Sequence, residues 1–237
     1  MSRTKRLLSY GTESRVKVAR SATVASKTKA RNKKLLSGPT NVSNRTMTFA
    51  YPITGLVPTS TTATHTVFRA NSVYDPDYSW GGEQCYGHAS MTDRFERYYV
   101  KKSKFTLLGG DYTVDNSVAQ VYAYVWADTS ETFGGGNDLN TIHGMCTANG
   151  GKIFKIPNQE QTKTVIGSVR CTTKDYYSHG YGDKDNNSLC LANPQNLLYW
   201  HLVVVCVTSQ PNYVAKVDVT VQVDYDTLYY DPIDKFS

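Results

Sequence analysis

The fold class is decided by the stretch Val217-Asp218-Val219-Thr220-Val221-Gln222-Val223-Asp224-Tyr225-Asp226. Apolar and polar residues alternate along it without a break. Because successive side chains of a β-strand point to opposite faces, this period of two predicts a strand with one buried face and one wet, acidic face.

Other segments after Pro39 have the same β character, because they are rich in Thr, Tyr, Val and Phe. We predict further strands at 46–57, 64–72, 97–108, 118–127, 165–172 and 197–207. Pro52 and Pro58 place the first of these at a sheet edge or an irregular end. Long loops are expected at 134–151 and 173–196. The pattern predicts an all-β protein with a single jelly-roll sandwich of about eight strands.

The first thirty-eight residues differ from the rest of the chain in charge. They contain eleven basic residues and one acid, Glu13, so their net charge is near +10 (11 − 1). Residues 75–237 contain thirteen Lys plus Arg and nineteen Asp plus Glu, a net charge of −6 (13 − 19). Such an excess repels itself, which predicts a disordered basic arm at 1–40 and a folded domain at 41–237.

The basic residues of this arm predict a nucleic-acid partner, because each Lys or Arg that neutralises a phosphate releases a counterion, whatever the base sequence. They are Arg3, Lys5, Arg6, Arg15, Lys17, Arg20, Lys27, Lys29, Arg31, Lys33 and Lys34. Three other readings of the arm stay open: an organelle transit peptide, a nuclear localisation signal, and a solvated tail without a partner.

A second, weaker nucleic-acid candidate lies in the folded domain. Tyr98 would stack on a base, and Lys101, Lys102 and Lys104 would contact phosphates. The alternative is a solvated strand whose lysines prevent aggregation. The eighteen tyrosines of the chain allow a base- or sugar-stacking surface, but they also suit the wet edges and interfaces of β-sandwiches.

No catalytic motif is present, so we predict that the protein is not an enzyme and needs no cofactor. The glycines at 134–136 and 150–151 do not have phosphate-loop spacing, and the nucleophile elbow of hydrolases is absent. Cys85-x-x-His88 and His143-x-x-Cys146 have the spacing of paired zinc ligands, if their loops meet. The alternative is ordinary packed side chains, and we assign no metal.

Compartment follows from the cysteines and the apolar runs. The five cysteines are odd in number and widely spaced, and no secretory signal precedes them, which predicts reduced thiols in an intracellular compartment. The longest apolar run, 197–207, is too short to span a membrane and contains His201.

Two segments carry a resemblance to a known family. Phe68-Arg69-Ala70-Asn71-Ser72-Val73-Tyr74-Asp75-Pro76-Asp77, followed by Tyr98-Tyr99-Val100-Lys101-Lys102-Ser103-Lys104-Phe105, resembles the capsid proteins of circovirus-like circular single-stranded DNA viruses. The strand at 217–225 and the tail with Asp231-Pro232 are similar to the end of the same proteins. The similarity extends over most of 45–235 in strand order, and only 68–77 is specific as a string.

The resemblance implies a virion protein. It implies a jelly roll that assembles as a homo-oligomer, an icosahedral T=1 shell of about sixty copies, with the arm inside on single-stranded DNA. Host receptor contacts and assembly in the host nucleus would follow. This arm has five Arg and six Lys, fewer Arg than is typical of the family. Two alternatives stay open: the coat of a small satellite-type RNA virus, and a jelly-roll lectin with a targeting peptide.

Overall fold

A computed structural model describes residues 42–114, 119–134, 138–158, 165–177, 185–208 and 213–233. The chain divides between Thr40 and Asn41, so every described residue belongs to the second of its two units.

The described residues form two antiparallel sheets. The first has the strand order β1-β9-β3-β6, with β7 also paired to β3, and the second has the order β2-β8-β4-β5. The strands are β1 (Ser43–Leu56), β2 (Thr64–Arg69), β3 (Phe95–Val114), β4 (Gln120–Asp128), β5 (Lys152–Ile156), β6 (Val165–Thr172), β7 (Ser188–Leu189), β8 (Tyr199–Val207) and β9 (Ala215–Pro232). The chain crosses between the sheets at every connection except those from β4 to β5 and from β6 to β7, and the two strand orders are those of a jelly roll. The predicted all-β jelly roll is therefore confirmed.

Strand β9 lies at the centre of the first sheet and carries the predicted alternation. Val217, Val221, Val223 and Tyr225 are fully buried, and Val219 is 3% exposed. Burying one such side chain stabilises the fold by about 1.5–3 kcal/mol, so this face alone anchors the sheet to the core. The opposite face of β9 carries the acids, and the strand itself pairs with β1 on one side and β3 on the other. Strand β1 is an edge strand, as Pro52 predicts.

Within the described ranges, three short helices accompany the sheets: α1 (His88–Thr92), α2 (Leu139–Ala148) and α3 (Thr173–Tyr176). Helix α2 contradicts our prediction of a loop at 134–151. Its buried residues Ile142 and Cys146 pack on the outer face of the second sheet. A helix of this length forms mainly through tertiary packing, which local sequence does not reveal. Among the described residues, no helix is long and apolar enough to cross a membrane.

Strand β3 differs from its predicted pattern at Lys101. A regular strand at 97–108 would place Lys101 and Ser103 on one face, but the register shifts between Val100 and Lys102. This bulge inserts one residue and reverses the alternation beyond it. Ser103 therefore points inward, is 2% exposed, and accepts a hydrogen bond from the Trp200 indole at 3.0 Å.

Candidate nucleic-acid interface

The basic arm lies outside the described residues. All eleven of its Lys and Arg positions fall between residues 3 and 34. Its assignment as a nucleic-acid-binding segment therefore stays a prediction from charge.

Lys101 and Lys102 lie on the first sheet and share one acidic partner. The Nζ atom of each lies 3.5 Å from a carboxylate oxygen of Asp226. Lys101 Nζ also donates a hydrogen bond to Asn44 Oδ1 at 2.5 Å. Such solvent-accessible pairs contribute only about 0–1 kcal/mol, so either lysine is able to exchange Asp226 for a phosphate.

Tyr98 does not form the stacking surface that we predicted. Its side chain is fully buried. Its hydroxyl lies 3.1 Å from Ser72 Oγ and donates to the carbonyl oxygen of Ala192 at 3.0 Å. The side chain precedes the bulge and faces inward, and for this reason no base reaches it. Tyr98 also illustrates a wider trend, since nine tyrosines of the described residues are buried.

Lys104 and Arg170 face each other on neighbouring strands. Lys104 is the register partner of Arg170 in β6 and of Asp224 in β9. Asp224 is held by hydrogen bonds from Thr48 and Gln222, each 2.9 Å long. Within the described residues, neither Lys104 nor Arg170 forms an ion pair.

Like charges directly opposite each other destabilise a sheet, and a bound anion would relieve this repulsion. We call Lys102, Lys104 and Arg170 the basic edge. The sequence analysis did not identify Arg170. Its apolar neighbours Val169 and Cys171, which the structure buries, are the sequence signal for an outward-facing Arg170 in β6.

The two proposed zinc-ligand pairs have other partners. His88 is fully buried, and its ring nitrogens lie 2.7 Å from Tyr229 Oη and 2.7 Å from the Cys190 carbonyl oxygen. Burial raises the pKa of the Cys85 thiol, which disfavours the thiolate that binds a metal.

The second pair lies on helix α2. The Cys146 thiol donates to the carbonyl oxygens of Val125 and Lys152 at 3.8 and 3.6 Å, and His143 is exposed. Across the described part of the chain, no group of three or more His, Cys, Asp or Glu residues is placed to hold a metal ion.

The segment 68–77, which carries the family resemblance, organises a loop. Arg69 Nη1 forms an ion pair with Asp75 Oδ2 at 2.5 Å and donates to the Asp75 carbonyl oxygen at 2.9 Å. The Arg69 guanidinium also lies 5.0 Å from the centre of the Tyr78 ring. These contacts close the chain after β2 into a turn, as the Asp-Pro-Asp sequence predicts.

Asn71 and Ser72 join this turn to the segment before β8. Asn71 Nδ2 donates to the Asn196 carbonyl oxygen at 2.7 Å, and its Oδ1 accepts from the Leu198 amide at 2.9 Å. Ser72 Oγ donates to Asn193 Oδ1 at 2.7 Å. These hydrogen bonds hold the turn after β2 against the segment before β8.

A histidine cluster that the sequence did not indicate lies on the outer face of the second sheet. His65 Nε2 is 2.9 Å from His201 Nδ1, and His201 Nε2 is 2.8 Å from the Ser130 carbonyl oxygen. The His201 ring lies parallel to the Trp126 indole to within 6°, and the ring of His65 lies 5.1 Å from that of Phe133. Burial, with the neighbouring His201, lowers the pKa of His65 to about 4.

Comparisons with known proteins give distant structural likenesses. No protein-family model and no curated protein matches the chain. Among solved structures, one similar chain comes from a semi-empty VLP of the giant freshwater prawn Macrobrachium rosenbergii nodavirus. The two chains are 8% identical with a TM-score of 0.44, and the match covers 83% of this chain and 97% of the nodavirus chain. A mud crab tombus-like virus structure has a TM-score of 0.45 at 10% identity, and the match covers 100% of this chain and 96% of that chain. A turnip yellow mosaic virus structure has a TM-score of 0.37 at 11% identity, and the match covers 82% of this chain and 100% of that chain.

Proposed function

We propose that this protein is a viral capsid subunit that self-assembles into a closed shell and packages nucleic acid through its basic arm. The carrying observation is the division of charge, with about ten net positive charges before residue 39 and a net −6 from residue 75 onward. A jelly roll supplies a rigid building block, and a basic arm supplies a sequence-independent grip on phosphates. We further propose a T=1 shell of about sixty copies, single-stranded DNA as cargo, and nuclear import by the arm.

Charge balance supports this proposal. With about ten net charges on each arm, about sixty arms carry on the order of 600 positive charges. These neutralise on the order of 600 phosphates, a substantial part of a small single-stranded genome.

Negative-stain microscopy of the purified full-length protein tests the shell. We expect uniform spheres on the order of 200 Å across, because ring-forming contacts between domains of this size close at that scale. A monodisperse monomer at every salt concentration would contradict the shell and favour the lectin.

Nuclease treatment of opened particles identifies the cargo. We expect DNase to digest the released nucleic acid and RNase, the matched control, to leave it intact. Digestion by RNase alone would replace our DNA proposal by the satellite-type RNA coat and leave the shell proposal standing.

Deletion of residues 1–38 tests the role of the arm. We expect the truncated protein to lose nucleic-acid retention, because most of its unpaired positive charge is removed. Replacing the same eleven basic residues by Gln in the full-length chain is the matched control for chain length. Nucleic-acid retention by both variants would contradict the proposal.

A further inference from the structure

The segment 129–134 is held on the second sheet by groups that titrate. It follows β4, and its Ser130 carbonyl oxygen accepts the hydrogen bond from His201. The Glu131 carboxylate accepts hydrogen bonds from the hydroxyls of Tyr78 at 2.6 Å and Tyr199 at 3.4 Å. Phe133 packs between the rings of His65 and Trp126. The segment therefore covers buried aromatic side chains through a few polar contacts.

The hydrogen-bond chain determines where the protons of the two histidines lie. A carbonyl oxygen only accepts, so His201 Nε2 must carry a proton. In neutral His201 the Nδ1 atom is then an acceptor, and His65 Nε2 must donate to it. Burial lowers the pKa of both histidines, so both rings are neutral in the closed arrangement at neutral pH. The order of donation runs from His65 to His201 to Ser130.

We propose that the His65–His201 pair is an acid-sensitive latch, which holds residues 129–134 on the second sheet at neutral pH and releases them when the pair is protonated. When both rings are protonated, His65 Nε2–H and His201 Nδ1–H are two donors that face each other at 2.9 Å, and the chain of hydrogen bonds breaks. A proton on His65 Nδ1 would place a cation beside Phe133 in a partly buried site. Either event weakens the closed arrangement. The proposal concerns the folded subunit and holds whether or not a shell forms.

Several elements packed against the His65–His201 pair contribute charged or titratable side chains. Asp128, at the end of β4, favours the protonated form of His201, but burial outweighs it and the pKa of His201 is lowered. Glu131 lies in the latched segment, Tyr199 in β8, and Arg69 in β2 packs on Tyr78. On helix α2, His143 packs edge-on against Tyr124 of the same cluster at 6.4 Å.

The direction of the pH dependence follows from the proton balance. The closed arrangement lowers the pKa of His65 to about 4, whereas a solvated imidazole titrates near 6.5. Opening therefore takes up a proton between these two values. Titration of His65 alone makes the equilibrium constant for opening rise by about tenfold for each pH unit below 6.5 and level off near 4, and the lowered pKa of His201 adds to this rise.

Hydrogen exchange of the full-length protein, read by mass spectrometry from pH 7.5 to 4, tests the latch. After correction for intrinsic rates, peptides covering 129–134 should exchange at least about tenfold faster per pH unit of acidification, while peptides from β9 stay unchanged. Exchange that rises equally in β9 would indicate general acid unfolding and overturn the proposal.

Variants separate the histidines from other acid-sensitive groups. The double variant His65→Gln, His201→Gln should lose the pH dependence, because a glutamine amide still donates to Ser130 but does not titrate. His143→Gln, an exposed position of α2, is the matched control and should keep it. Glu131→Gln should also keep it, which excludes the carboxylate as the cause.

The single variants His65→Gln and His201→Gln serve if the double variant does not fold by near-ultraviolet circular dichroism, and each should weaken the pH dependence without abolishing it, because one titrating ring remains. A pH dependence that keeps its full slope in both folded single variants would overturn the latch.

Discussion

Short polar side chains in the segment 68–77 stabilise loops that the sheets alone would leave open. Asn71 is 1% exposed and satisfies one backbone carbonyl and one backbone amide more than 120 positions away along the chain. A buried backbone group without a partner is costly, so one amide side chain determines how two loops meet.

Asn71→Ala should therefore destabilise the protein by about 2–4 kcal/mol, since two buried backbone groups lose their partner. Equilibrium unfolding in guanidinium chloride, followed by circular dichroism, measures this change. Asn44→Ala, at an exposed position, is the control and should change the stability by about 0.5 kcal/mol or less. Equal effects of both variants would contradict the role of Asn71.

The five cysteines should be inert in the native protein, because all are free and buried. Burial raises the pKa of Cys146 to about 11 and that of Cys190 to about 12, so little thiolate exists at pH 8. We expect no alkylation by iodoacetamide under native conditions and modification of all five cysteines in guanidinium chloride, as read by mass spectrometry. Rapid native labelling of any one of them would show that its site is open.

At the scale of elements, the second sheet is covered on both faces. Its inner face packs against the first sheet, and α2 covers Tyr124, Trp126, Val203 and Val205 on its outer face. This double burial explains the nearly continuous apolar runs of β4 and β8. It also requires a close return of the chain from α2 to β5 at Gly151.

Gly151→Ala should destabilise this return by about 1–3 kcal/mol. A Cβ atom at position 151 would lie 2.5 Å from the Val125 carbonyl oxygen and 2.6 Å from Trp126 Cβ. Gly144→Ala, in the middle of α2 with no atom within 4 Å of the added Cβ, is the matched control. It should stabilise the helix by about 0.5–1 kcal/mol. Thermal unfolding distinguishes the two signs, and a neutral Gly151→Ala would contradict the close packing.

At the scale of the whole molecule, the charge of the chain divides at about residue 40. The arm is near +10, whereas the rest of the chain is −4 (6 − 10). Among the described residues, Asp226 of β9 already pairs with Lys101 and Lys102, whereas Lys104 and Arg170 of the basic edge form no ion pair.

Binding of the full-length protein to a single-stranded oligonucleotide should depend steeply on salt. With about ten phosphates neutralised, the slope of log K against log salt concentration should be about −7. Replacing Lys27, Lys29, Arg31, Lys33 and Lys34 by Gln should reduce it to about −3.5. Fluorescence anisotropy measures both slopes. The control is a protein whose arm has the same residues in a permuted order. It should keep the same slope of log K against log salt concentration, because phosphate neutralisation does not depend on the order of the residues.

Much of the fold was predictable because it depends on local periodicity. The alternation at 217–226 defines a strand with one buried face, and Pro52 places β1 at an edge, since proline cannot donate to a ladder. The charge of residues 1–38 likewise needs no structure to be read. These features follow from backbone geometry and from the cost of burying charge, which act on neighbouring residues.

Only the tertiary structure decided the features that depend on residues far apart in the chain. The bulge at Lys101 turned Ser103 inward, packing on the second sheet stabilised α2, and burial removed Tyr98 from the predicted stacking surface. His65 and His201 meet across 136 positions, and Arg170 joins Lys104 only through strand register. Register and packing arise from the global arrangement of the sheets, so no local pattern in the sequence specifies them.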